Sequence, residues 1–162
     1  MKKIFALALI CAAMIAGAAE KNLAPAKWGI YGKQGAKQST VIQKNGQIDC
    51  QVKDAKDAMA GVVSGVEFTT PVKGTLIFGG ESKAENVTGT VGHNYCVYLD
   101  LTYTDGKKLY GQVANFKGGT HDWEKSTQTI KLAKPVKSIS FYVLFRNVSG
   151  KASFRNIFLY NK

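Results

Sequence analysis

Acidic residues, cysteine, proline and histidine are all scarce in this chain, and each scarcity closes off some chemistry. Eleven Asp and Glu residues stand against 22 Lys and Arg. No two of them form a recognisable opposed pair of the kind that hydrolyses glycosidic bonds. There are two histidines, His93 and His121, no Gly-x-Ser-x-Gly elbow, and no cysteine in a context that would pair it with a histidine as a nucleophile. Three cysteines, one of them (Cys11) inside the N-terminal apolar run, cannot furnish a metal site without further ligands, and none lie nearby. Three prolines are too few for a proline-rich linker, and neither repeats nor low-complexity segments occur. No basic stripe or cluster marks a nucleic-acid surface. No apolar run reaches the length of a membrane-spanning helix.

The longest apolar run is the first. Met1-Lys2-Lys3 is a short basic start, Ile4 to Ile15 is apolar, and Ala16-Gly17-Ala18 offers small residues at the spacing a signal peptidase reads. Cys11 lies mid-run after Ile10, which excludes a lipoprotein reading. Residues 1–19 are expected to be a cleaved secretory leader of bacterial type, so that a domain of residues 20–162 is secreted or periplasmic. About 143 residues suffice for one domain with a full core. Removing Lys2 and Lys3 leaves 20 basic residues against 11 acidic ones, a net charge of +9. The excess is scattered lysine. It reads first as a solvated surface, and it also suits a meeting with acidic glycans or an anionic cell surface. Cys50 and Cys96 remain after cleavage, and an exported chain permits either a disulfide between them or two buried thiols.

What the chain has in abundance is alternation. "TVIQKNGQIDCQV" (40–52) reads as a hairpin with Asn45-Gly46 in its turn. "GVEFTT" and "GTLIFGG" follow, split by Pro71. "NYCVYLDLTYTDGKKLYGQVANF" (94–116) is a second hairpin, turning at Asp105-Gly106. "STQTIKL", "KSISFYVLFRN" and "ASFRNIFLYN" complete the series, and only "DAKDAMAG" (54–61) has the look of a helical turn. About eight short antiparallel strands at regular spacing predict a single all-β sandwich or barrel.

Within 95–103 the odd positions are Tyr95, Val97, Leu99, Leu101 and Tyr103, while the even ones include Tyr98 and Asp100. Within 138–146 the odd positions Ile139, Phe141, Val143 and Phe145 are apolar, and Tyr142 and Arg146 fall on the other side. Residues of one parity share a face. If these strands share a sheet, Tyr98, Asp100, Tyr110, Gln112, Tyr142 and Arg146 are expected to line its outer face. Flat rings among Asp, Gln and Arg suit a sugar, whose C–H face stacks on an aromatic while its hydroxyls are hydrogen-bonded. An arginine fork also suits a uronate carboxylate. The competing reading is that tyrosine is simply common in strands.

"GGTHDWE" (118–124) looks at first like an active site. Adjacent residues of an extended segment point to opposite sides, so His121 and Asp122 cannot form a dyad. The expectation is a tight turn at Gly118-Gly119, with Trp123 capping the core at the start of the next strand. His121 is kept as a candidate sugar contact from a loop. His93, in a Gly-flanked loop, is left unplaced. Asn86-Val87-Thr88 and Asn147-Val148-Ser149 match the glycosylation acceptor, a coincidence behind a bacterial leader. No other cofactor is implied, but Asp100, Asp105 and nearby carbonyls leave room for a structural Ca²⁺, without a ligand spacing that picks out a site.

The stretches "GGESKAENVTG" (79–89), "YLDLTYTDGKKLYGQVANFKGGTHDWE" (98–124) and "KPVKSISFYVLFRNVSGKASFRNIFL" (134–159) resemble a group of jelly-roll domains. These are the galactose-binding-like, carbohydrate-binding-module-like domains of secreted bacterial glycan-processing proteins. The resemblance runs from about residue 60 onward and rests on Gly119-Thr120 before Trp123, the Pro135-led strand, and the closing strand from Gly150 to Leu159. Many such domains carry Asp-Asp after the last-strand Phe. Arg155-Asn156 stand here after Phe154, which puts any role of those carboxylates in doubt. The resemblance implies a single jelly-roll β-sandwich that binds a polysaccharide or oligosaccharide, acidic or neutral, without transforming it. In most such proteins the domain is appended to a catalytic module, for which about 143 residues leave no room. Two other readings stand beside it: an adhesive envelope module docking a protein partner through its sheet face, and a small polysaccharide lyase using His121 with Arg146.

Overall fold

The computed structural model describes residues 21–32, 39–56 and 59–162. The expected leader therefore lies outside the described residues. Among these residues ten strands form two antiparallel sheets of five. The front sheet has the order β1 (Gly29–Ile30), β4 (Met59–Val72), β9 (Val136–Arg146), β6 (Tyr95–Tyr103), β7 (Lys108–Asn115). The back sheet has the order β2 (Ser39–Lys44), β3 (Gln47–Val52), β10 (Val148–Asn161), β5 (Thr75–Gly89), β8 (Gly119–Lys131). This is the expected jelly-roll β-sandwich, with more and longer strands than the periodicity announced. A 3₁₀ turn, Gly92–Asn94, leads into β6. Among the described residues no helix is long and apolar enough to cross a membrane.

The sheets face each other through the apolar parity of each strand. Tyr95, Val97, Leu99 and Leu101 of β6 and Ile139, Phe141, Val143 and Phe145 of β9 meet Leu76 and Phe78 of β5 and Phe154 and Leu159 of β10, all buried. Burial on this scale contributes about 1.5–3 kcal/mol per large side chain and drives the two sheets together. The β2–β3 hairpin turns where expected. Asn45 and Gly46 both have positive φ (52° and 75°), the left-handed pair that a tight two-residue turn demands.

Four local expectations are corrected. Pro71 does not end its strand: β4 runs to Val72, and Pro71 lies in a stretch (68–71) with no partner on β9, so its missing N–H costs nothing. The helical turn at 54–61 falls partly outside the described residues, and from Met59 onward the chain is already strand. The chain bends at Gly118 and Gly119 has a φ of 90°, as expected, but the next strand does not wait for Trp123: β8 begins at Gly119 and carries the whole of Thr120 to Glu124. Trp123 does not cap the core. It lies on the outer side of the back sheet beneath the Arg155 guanidinium, 3.9 Å from the ring centre, while Trp28 covers the core edge-on against Phe141 at 5.3 Å. Of the two readings for Cys50 and Cys96, the structure has two buried free thiols. Cys50 faces the core and Cys96 faces away from it, on the other sheet.

Candidate functional site

The outer face of the front sheet brings together four of the expected residues. Register pairs Tyr98 with Tyr142 and Asp100 with Ser140, so β6 and β9 present these side chains side by side. The rings of Tyr98 and Tyr142 meet edge to face, centres 5.5 Å apart at 81°. Tyr31, immediately after β1, extends the row from the other side, 5.4 Å from Tyr142 at 81°. Edge-to-face contact leaves ring faces available for stacking while holding each ring in place. Beside the row, Gly65 of β4 stands opposite Ser140 with open space around it.

Charge sits at the two ends. Asp100 accepts a hydrogen bond from the Gly111 N–H at 3.0 Å. Burial, and after it the adjoining Asp100 carboxylate, push the Tyr98 phenol up to about 12; burial also raises Tyr142. At the far end Arg146 donates through Nε to Asn94 Oδ1 at 3.2 Å, and Asn94 is itself tied by its amide to the Thr90 carbonyl at 2.8 Å. The 92–94 turn packs on β6, β7 and β9, and its His93 reaches over β7 toward Gly111, whose N–H bonds Asp100. Cys96 and Leu144, cross-strand partners on this same face, are buried there, which raises the Cys96 thiol to about 12.

Of the other three expected residues, Tyr110 stands at the rim of this face, and Gln112 and His121 lie off it. A bulge on β7 sets Tyr110 and Gly111 against the single residue Asp100 and reverses the parity beyond it. Gln112 is thereby paired with core-facing Leu99, and its amide donates to the Tyr110 carbonyl at 2.9 Å. Tyr110 stays outward but stands 62 % exposed at the edge, beside Lys108. His121 is on the other sheet. It pairs with inward-facing Ala84, its Nδ1 lies 2.8 Å from the Asp122 carbonyl and its Nε2 3.1 Å from the Lys117 carbonyl. Nε2 is also 3.5 Å from the hydroxyl of buried Tyr95. Asp122 points away, as adjacency requires, and pairs with Lys83 at 3.4 Å. His121 and Arg146 therefore do not share a cleft. The two carboxylates considered for calcium have other partners: Asp100 takes the Gly111 N–H, and Asp105 is engaged by Lys134 at 2.5 Å and by the Lys107 N–H at 3.1 Å; no three His, Cys, Asp or Glu side chains cluster as metal ligands among the described residues.

Tyr31, Asn94 and His93 belong to the face and escaped the sequence reading. Tyr31 follows a strand of two residues, too short to show a period. The outer face of the back sheet is different in kind. Its charges pair across strands, Arg155 with Glu81 at 2.8 Å, Lys151 with Glu85 at 3.2 Å and Lys83 with Asp122. Hydrogen bonds from Asn156 and Arg155 hold the half-buried Glu81 carboxyl below its ordinary range. Asn156 stands at a bulge of β10 with φ 50°, a backbone position that asparagine tolerates well.

No protein-family model matches the chain, and no curated protein matches it in sequence. Solved structures do share its fold. A CBM4 carbohydrate-binding module superposes with a TM-score of 0.51 at 16 % identity, over 83 % of this chain and 86 % of that one. A candidate sugar-binding protein from Bacteroides thetaiotaomicron VPI-5482 gives 0.55 at 14 %, over 84 % and 88 %. The enzymatically active part of the bacteriophage CBA120 tailspike protein 4 gives 0.53 at 11 %, over 84 % of this chain but only 19 % of that one. These likenesses establish a fold of the carbohydrate-binding-module type.

Proposed function

We propose that this protein is an exported, non-catalytic carbohydrate-binding protein whose glycan lies across the outer face of the front sheet. The observation that carries the reading is the row Tyr31–Tyr142–Tyr98, flanked by Asp100 and Arg146. Sugar rings stack on the phenol faces, while Asp100, Ser140 and the tyrosine hydroxyls take the sugar hydroxyls. The back sheet is the less suitable face because its charges are already matched across strands. The fold shared with carbohydrate-binding modules supports the same reading. The separation of His121 from Arg146 speaks against the lyase, and the polar flanks of the tyrosine row speak against a purely apolar protein-docking face.

The test is a glycan array carrying neutral and acidic polysaccharides, probed with the mature chain, Tyr142→Ala and Tyr98→Ala. Binding lost in both variants with the glycan left intact supports the proposal. Loss only in His121→Ala moves the site to β8, and release of shortened sugar makes the protein an enzyme. Silence across the array, with retention on an envelope protein, supports the adhesive reading.

A further inference from the structure

We infer that the glycan is a uronate-bearing one and that Arg146 reads its carboxylate; this rests on the tyrosine face being the binding site. The chain has two arginines, and their surroundings differ. Arg155 is matched with Glu81 and stacked on Trp123. Arg146 has no carboxylate partner among the described residues, and its one side-chain hydrogen bond goes to the neutral Asn94.

That bond does two things. It occupies Nε, and because Asn94 is anchored in turn to Thr90, it fixes the plane of the guanidinium. The two terminal nitrogens stay available as a parallel pair of donors, the geometry that matches both oxygens of a carboxylate. The setting sharpens the argument. Arg146 is half-buried beside Cys96 and Leu144, two apolar side chains at 0 % and 1 % exposure. A cation held in partly desolvated surroundings without a counter-ion is costly, and an arriving carboxylate offsets that cost.

Position along the face adds direction. Arg146 shares its face with Tyr142, four residues back on β9, and Asp100 lies opposite Ser140, two residues further. Along the strand, six residues span about 20 Å. A carboxylate at the Asp100 end would be repelled, and one at the Arg146 end is drawn in. The acidic sugar unit therefore lies over Arg146, and neutral ring faces lie over Tyr142 and Tyr98.

The test compares glucuronoxylan, whose uronates stand apart on a neutral backbone, with its own carboxyl-reduced form, by affinity electrophoresis at two salt concentrations. Wild type is expected to prefer the carboxylate form by about tenfold, the usual worth of a charge-assisted pair. Arg146→Gln abolishes the preference but keeps affinity for the reduced polymer, and Arg146→Lys, which keeps charge without the fork, retains little of it. Tyr142→Ala weakens binding to both forms, and Lys83→Gln on the back sheet changes nothing. Equal binding of both forms by wild type, or an unchanged preference in Arg146→Gln, overturns the uronate assignment while leaving the tyrosine face intact, and wild-type behaviour of Arg146→Lys overturns the forked pairing. Binding indifferent to Tyr142→Ala overturns the tyrosine face as the site, and this inference with it.

Discussion

Ser82 Oγ and the Tyr95 hydroxyl share a 2.6 Å hydrogen bond inside the sandwich, in the middle of an otherwise apolar core. Ser82 also donates toward the Ser153 carbonyl at 2.9 Å, whereas Tyr95 has only His121, at 3.5 Å, as a second partner. The pair is therefore asymmetric. Tyr95→Phe leaves Ser82 satisfied and should cost about 1 kcal/mol in urea unfolding. Ser82→Ala strands a buried phenol and should cost more, about 1–3 kcal/mol. The double variant should fall close to Tyr95→Phe alone, so the two losses are not additive.

Gly65 offers a way to block the proposed binding face without touching a tyrosine. It is exposed, and an added Cβ meets nothing within 4 Å. Gly65→Leu should leave stability within about 0.5 kcal/mol, as an ordinary surface change does. It should nevertheless weaken glycan binding severalfold by standing in the path of the sugar over Ser140 and Tyr142. Unchanged binding in calorimetry would place the ligand elsewhere.

Alkali should expose the linkage between Tyr98 and the fold. The Tyr98 phenol is raised from 10.0 to about 12, so its neutral form is the one the folded state favours. The stability it contributes is fully present below the unfolded value of about 10 and is lost as pH rises toward 12. Tyr142 is raised in the same sense. A phenolate absorbance titration should show Tyr98 ionising late, and Tyr98→Phe should remove that step. Asp100→Asn should shift it to lower pH, because the nearby carboxylate helps to hold the proton.

The two thiols should be silent in the native state. Burial raises both, Cys96 to about 12 and Cys50 beyond the ordinary range altogether. Buried, protonated thiols are poor nucleophiles. A thiol-reactive dye should label neither cysteine of the folded mature chain and both after unfolding. Reductant should leave the melting temperature unchanged, and a drop would reveal a disulfide.

These predictions draw on features of unequal legibility. Asn45-Gly46 and Asp105-Gly106 announced their hairpins because left-handed turns admit few residue types. Tyr98, Asp100, Tyr142 and Arg146 were readable as one face because β6 and β9 alternate without interruption and pair with each other. Gln112 falls on the inner side because one extra residue at Gly111 reverses the parity beyond Tyr110, which keeps its outward place, and a lone glycine in a strand only hints at that. Trp123 was assigned to the core on its size, yet a bulge between β5 and β8 at 122–123 leaves it on the outer side, where Arg155 covers it. Which loop would hold His93 and Asn94 over the sheet end was a matter of tertiary packing, invisible to any local pattern.

The β7 bulge matters beyond the site it reshapes. β7 is the last strand of the front sheet, and a strand in that position offers its unpaired backbone groups to any passing chain. At Gly111 the N–H that would continue this row is turned to Asp100 instead, and the φ of 74° bends the strand away from a flat ribbon. A second molecule attempting to add its own strand there finds the ladder out of step after a few residues. The same irregularity that spoils a simple reading of parity thus works against strand addition at this one edge.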